Sequence, residues 1–156
     1  MRVDFYHLTR DPAEAVVPLL ADKLLAVGER VLVVADDAGA LARISDALWQ
    51  YQRAPFLAHG VAGGPHDARQ PILLSPDPVA TNGARTCVLA DGQWRDVPAM
   101  ARLFLLFTAD HLEAARQTWR ALGQREGVDR HYWRQDRGKW LEGPDQGRKA
   151  PATSDN

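Results

Sequence analysis

Arg116, Trp119 and Arg120 stand three and four positions apart, a spacing that puts all three on one face if the segment is helical. Two guanidiniums would then flank an indole. Such a patch suits an acidic peptide ending in a bulky apolar residue. Arginine forks bind carboxylates bidentately while the ring and nearby apolar side chains receive the apolar group, and a C-terminal carboxylate is one candidate ligand. The same spacing also fits a core stripe of Leu112, Ala115, Trp119 and Leu122, with the arginines snorkelling at its edge.

A second cluster joins Trp49, Tyr51, Pro55 and Phe56. Aromatic side chains gathered at one rim mark protein interfaces; alternatively, Trp49 and Phe56 seal a helix against a sheet. A third stretch, HYWRQDRGKWLEG from His131 to Gly143, interleaves aromatic and basic residues. That alternation suits a single-strand nucleic-acid binder and equally a hairpin that closes the edge of a sheet.

Sets of residues that would support catalysis are missing. Ser45, Ser75 and Ser154 are the only serines, and none lies in a G-x-S-x-G turn. Cys87 sits in an apolar strand pattern and reads as a small buried hydrophobe. His59, His66 and Asp67 flank a glycine-containing loop, yet their spacing matches no zinc motif. Asp36 and Asp37 read as helix caps rather than as an acid and base pair. Gly60, Gly63 and Gly64 lack the lysine of a phosphate-binding loop, and the turns LTRDP and ADDAGA carry no glycine-rich nucleotide motif. These observations predict no catalytic residues, no metal and no cofactor.

The elements that must carry these residues alternate. Val3 to Leu8 reads as a strand. Asp11 as N-cap, Pro12 at the first helical position and Gly28 at the C-terminal cap predict a helix over 12–27, with Pro18 either kinking it or delaying its start. VLVV after Arg30 predicts a central parallel strand. A helix capped by Asp36 and Asp37 then runs to Gln50, with Leu41, Ile44 and Leu48 on one face. Short strands are expected at Pro55 to Ala58, Ile72 to Ser75 and Arg85 to Ala90, and a buried one at Arg102 to Thr108. Asp110 is expected to cap a last helix reaching Glu126. The alternation predicts an α/β three-layer sandwich with a mostly parallel sheet, Rossmann-like but without a nucleotide-binding loop. One domain over 1–142 and a disordered tail over 143–156, GPDQGRKAPATSDN, complete the organisation.

With 156 residues and a formal charge of -1, the chain can bury a core and has no overall charge that would hold nucleic acid. The basic side chains concentrate locally. Between His111 and Trp140, Arg116, Arg120, Arg125, Arg130, Arg134, Arg137 and Lys139 outnumber Glu113, Glu126, Asp129 and Asp136, so an acidic partner is expected there. A single cysteine, an amino-terminal segment without a long apolar region, and no membrane-length apolar run predict a cytoplasmic protein that does not enter a membrane.

The order of these features resembles the chi subunit family of DNA polymerase III. The resemblance is carried by FYHL (Phe5–Leu8), GERVLVVADD (Gly28–Asp37), DALW (Asp46–Trp49), PFLAHG (Pro55–Gly60), the apolar strand from Arg102, and ARQTWRAL (Ala115–Leu122). It implies a non-catalytic accessory subunit of a DNA-directed DNA polymerase complex, one that links the clamp loader to single-stranded DNA-binding protein and meets DNA mainly indirectly. By resemblance, Arg116, Trp119 and Arg120 match the positions that bind the acidic, phenylalanine-terminated tail of that protein, with Leu105 lining the apolar pocket. Many members carry tyrosine where this chain has Trp119. Trp49, Phe56 and Pro55 match the surface that meets the psi subunit or an alternative helicase partner. A nucleotide-dependent enzyme on a Rossmann-like sheet and a direct single-stranded nucleic-acid binder are the competing readings.

Overall fold

In the VLVV run, Val31 and Val33 join one apolar cluster while Leu32 and Val34 join another. A strand sends alternate side chains to opposite faces, so a strand with no polar position must be covered on both sides. The computed structural model, which describes residues 1–52, 56–137 and 139–143, places this strand, β2 (Val31–Val34), between β4 (Ile72–Ser75) and β5 (Thr86–Leu89). The other strands are β1 (Arg2–His7), β3 (His59–Val61), β6 (Arg102–Phe107), β7 (Asp129–Asp136) and β8 (Lys139–Glu142). They form one sheet in the order β3-β4-β2-β5-β6-β1-β7-β8. Every neighbouring pair is parallel except the terminal β7–β8 hairpin. The expected mostly parallel α/β sandwich is the fold.

Helices α1 (Ala13–Ala26) and α2 (Ala38–Gln50) cover one face through Val17, Leu20, Leu24, Ile44 and Leu48. Helix α3 (Leu112–Leu122) covers the other with Ala115, Trp119 and Leu122 against Phe5, Leu103, Leu105 and Phe107. The hairpin expected after His131 therefore extends the sheet beyond β1, as its edge.

Local signals succeed where one side chain decides the geometry. Asp37 caps α2, its carboxylate accepting from the Gly39 amide at 3.0 Å. Gly28, at φ +82°, lets its own amide reach the Leu25 carbonyl and that of Glu29 reach Leu24, a termination that favours glycine because a side chain strains that conformation.

Tertiary contacts override three other expectations. Asp11 does not cap α1; Pro12 holds the cap position with no side-chain bond, and the Asp11 carboxylate accepts from Gln135 Nε2 at 2.7 Å. The helix begins at Ala13 and continues through Pro18, which forgoes the one ladder bond its missing N–H would make. The strand expected at 55–58 is displaced to His59–Val61, because that is where pairing with β4 is available; Leu57 instead buries in the core. Asp110 lies in a 3-10 turn (Ala109–His111) that leads into α3 without a side-chain cap, and α3 ends at Leu122 rather than Glu126. The Gly123, Gln124 and Arg125 amides close the end of α3 onto the Trp119, Ala121 and Leu122 carbonyls, and the Arg130 guanidinium also donates to the Trp119 carbonyl and packs against Gly123.

Among the described residues Asp4 is the one fully buried charge at this end of the sheet, at 0% exposure. Its carboxylate accepts from Arg2 on its own strand (2.9 and 3.0 Å), from Arg102 on β6 (2.8 Å) and from the Trp133 indole on β7 (2.9 Å). Burial pushes its proton affinity up, but these donors outweigh it and hold the carboxyl below its ordinary range. Three adjacent strands are thereby tied at one point. Trp133 and Trp140 also pack on Tyr6, with ring centroids 6.1 and 4.8 Å away. Those two indoles serve the core rather than standing free to stack on bases. Residues 144–156 of the expected tail lie outside the described residues, while the Gly143 amide still bonds to the Tyr132 carbonyl at 2.8 Å.

Candidate partner-binding site

The spacing of Arg116, Trp119 and Arg120 matters because of what α3 packs on. Trp119 turns inward and is 7% exposed. Its ring meets Phe5 edge-on, with centroids 5.1 Å apart, and Tyr132 at 6.2 Å, while the Arg130 guanidinium lies 4.3 Å over it. Both readings of the stripe hold together: Trp119 continues the core and also forms one wall of a cavity at its edge.

That cavity, of about 110 Å³, is lined by Phe5, Phe107, Leu112, Ala115, Arg116, Trp119, Arg120 and Tyr132. Its size approaches that of an apolar cavity of about 150 Å³ that accepts benzene. An aromatic or aliphatic side chain is the fitting occupant. The charged groups of the lining are Arg116 and Arg120, both exposed. Arg116 has Glu113 at 3.9 Å, a loose exposed pair that contributes little and yields easily. Among the described residues Arg120 has no carboxylate partner.

Tyr132 in this wall is held by His7, with a hydrogen bond of 3.0 Å between Nδ1 and the phenolic oxygen. Burial, reinforced by Arg116, pushes the His7 imidazole below its ordinary range, so it is neutral at pH 7. Burial raises the Tyr132 phenol against the pull of Arg116 and Arg134. The mouth is consequently cationic with no carboxylate in its wall, over an apolar floor. Chemically, such a mouth can take an anionic group together with an apolar one.

Leu105 does not line this cavity. It lies in the core under α3 at 1% exposure; Phe5, its register partner on β1, and Phe107, two residues further along β6, supply the apolar surface instead. Neither was singled out by spacing, because only the β1–β6 pairing brings them together. Tyr132 was equally unmarked as a pocket residue, although the alternation of its segment predicted a strand.

At the opposite edge of the sheet, Trp49 and Phe56 are each 60% exposed, with ring centroids 5.2 Å apart. They do not seal α2 against the sheet. Trp49 rests edge-on on His59 at 5.0 Å. His59 is itself held by the Leu57 carbonyl (2.8 Å) and Ser45 hydroxyl (2.9 Å), a pattern in which Nδ1 donates and Nε2 accepts. Pro55 lies outside the described residues.

The remaining candidates have structural partners. The amides of Gly63 and Gly64, which would have to bind a phosphate, donate to the Asp67 carboxylate at 2.8 and 3.1 Å. Cys87 is fully buried, and burial pushes its thiol up to about 12, which suppresses the nucleophilic thiolate. Among the described residues no three His, Cys, Asp or Glu side chains gather to hold a metal ion, and no helix is long and apolar enough to cross a membrane.

No curated protein matches the chain as a relative. The family model for the DNA polymerase III chi subunit, HolC, matches residues 1–131, the stretch that contains β1 to β6, all three helices and the arginine-rimmed cavity up to its β7 wall. The chain belongs to the DNA polymerase III chi subunit family.

Proposed function

We propose that this subunit is a non-catalytic accessory of the holoenzyme that couples its clamp loader to single-stranded DNA-binding protein by holding that protein's acidic, phenylalanine-terminated tail. The observation that carries this reading is the cavity edged by Arg116 and Arg120 over an apolar floor. The terminal ring enters between Phe5, Phe107 and Trp119, and the guanidiniums take carboxylates as charge-assisted forks. No bond is made or broken. Tethering raises the effective concentration of coated single strand near the clamp loader, which assists primer handoff and lagging-strand synthesis while the subunit meets DNA mainly indirectly. The protein works in the cytoplasm and needs no cofactor.

Fluorescence anisotropy with a labelled acidic tail peptide tests this directly. Saturable binding is expected, and deleting the terminal phenylalanine should cost about 2 kcal/mol, roughly thirtyfold, the worth of burying one such side chain. Equal affinity for both peptides would sink the assignment.

The exposed Trp49–Phe56 pair supports a second docking surface, for the psi subunit or an alternative helicase partner. Trp49→Ala is expected to abolish co-purification of that partner, since exposed tryptophans at interface centres commonly contribute 2 kcal/mol or more. Tail affinity should stay within about twofold, the two surfaces lying on opposite edges of the sheet and acting independently. A parallel loss of tail binding would contradict this separation.

A further inference from the structure

Strand β7 carries opposite charges on its two faces. Residues 129, 131 and 133 point to the α1 side, where Trp133 reaches Asp4 and His131 lies within 2.9 Å of Asp129 and 2.6 Å of Glu142. The acidic groups on that side are thus tied to an imidazole whose proton affinity these carboxylates raise. Residues 130, 132 and 134 point to the α3 side. There Arg130 stacks on Trp119, Tyr132 forms the pocket wall, and Arg134 follows, exposed and without a carboxylate partner among the described residues.

Arg134 is paired in register with His7 on β1 and Leu141 on β8. It sits two residues beyond Tyr132, about 7 Å along an extended chain. Both Arg116 and Arg134 act electrostatically on the Tyr132 hydroxyl, so the pocket mouth lies between a cation on α3 and one on β7. Leu141, 40% exposed, stands opposite Arg134 across the hairpin and offers apolar surface beside the charge. Asp136, the next residue on that face, carries the opposite sign and ends the cationic run. Tyr132, Arg134 and Leu141 all lie past the stretch matched by the family model.

We infer that Arg134 and the α3-facing side of the β7–β8 hairpin form a second rail for the ligand, holding the acidic residues that precede the terminal apolar residue of a bound peptide. This rests on the tail-binding reading of the cavity and assigns the path of the segment outside it. An extended peptide whose last side chain fills the cavity reaches Arg134 with the residue about two positions upstream. Arg116 and Arg120 hold the end of the chain; Arg134 reads the charge that comes before it.

The test uses the full chain and two labelled peptides with the same terminal phenylalanine and carboxylate, one with aspartates upstream and one with asparagines in their place. Wild-type protein is expected to bind both, the aspartate peptide more tightly. Arg134→Glu should weaken the aspartate peptide about tenfold, a charge reversal opposite an exposed carboxylate, and leave the asparagine peptide within about twofold; Arg134→Lys should retain most of the preference. An unchanged preference in Arg134→Glu overturns the rail while leaving the cavity reading intact. Equal loss for both peptides also overturns it, because Arg134 would then act on the terminus itself. Failure of wild-type protein to bind either peptide overturns the cavity reading and the rail together.

Discussion

Arg116→Glu is expected to lower affinity for the acidic tail by about thirtyfold, the equivalent of roughly 2 kcal/mol for a charge-assisted hydrogen bond replaced by like-charge repulsion. The reversal removes one of the two cations in the cavity wall and leaves the mouth nearly neutral. The side chain is half exposed and its pairing with Glu113 is loose, so the fold should survive, and the thermal midpoint provides the control. Arg116→Lys preserves charge without the planar fork and should fall between the two. Because exposed charges are screened over about 10 Å at 0.1 M salt, the gap between wild type and Arg116→Glu should narrow as salt rises. An unchanged affinity at low salt removes the site. Trp119→Ala is a poorer discriminator: emptying a buried indole costs about 3–5 kcal/mol of stability, and lost binding would then follow from lost structure.

Asp4→Ala should lower stability by about 3 kcal/mol in chemical denaturation. Removing one member of a buried charge network costs about 3–5 kcal/mol, but Arg2 and Arg102 are partly exposed and recover some hydration. The Trp133 indole also loses its acceptor. Acid should reproduce the effect. The folded carboxyl lies below its unfolded value of about 3.9, so its contribution is complete above that value and disappears as pH falls through the folded one. Wild-type stability should therefore decline below about pH 4 more steeply than that of the variant; parallel pH curves would show that the network contributes nothing. Although Asp4 faces the α1 side, its loss also reaches the binding site. Trp133 is the neighbour of Tyr132, and loosening β7 should weaken tail binding even in the fraction that remains folded.

Much of the architecture was legible locally because the signals are local. An all-apolar VLVV run can satisfy its side chains only between two covered faces, and a Gly28 after an apolar helix ends it by allowing a positive φ. The failures share a cause as well. Asp11 and Asp110 resemble caps in the chain but do not act as caps; Asp11 is recruited by Gln135, 124 residues away. The strand after Tyr51 is set by the availability of β4 rather than by the propensity of its own residues.

The binding site divides in the same way. Helical geometry makes Arg116, Trp119 and Arg120 neighbours, so their shared face followed from spacing, while their link to a tail ligand came from resemblance. Which apolar groups lie beneath them depended on the strand order, which brings Phe5, Phe107 and Tyr132 to one place from β1, β6 and β7. Leu105 faces α3 as they do but is buried beneath it and supplies core instead of cavity. Sequence by itself determined most of the elements, their polarity and the chemistry of the cationic face, because those are properties of residues a few positions apart. Tertiary structure alone decided the depth of the pocket, the exposure of Trp49 and Phe56 and the sidedness of β7, because these depend on which distant strands pair and which face each then turns to α3.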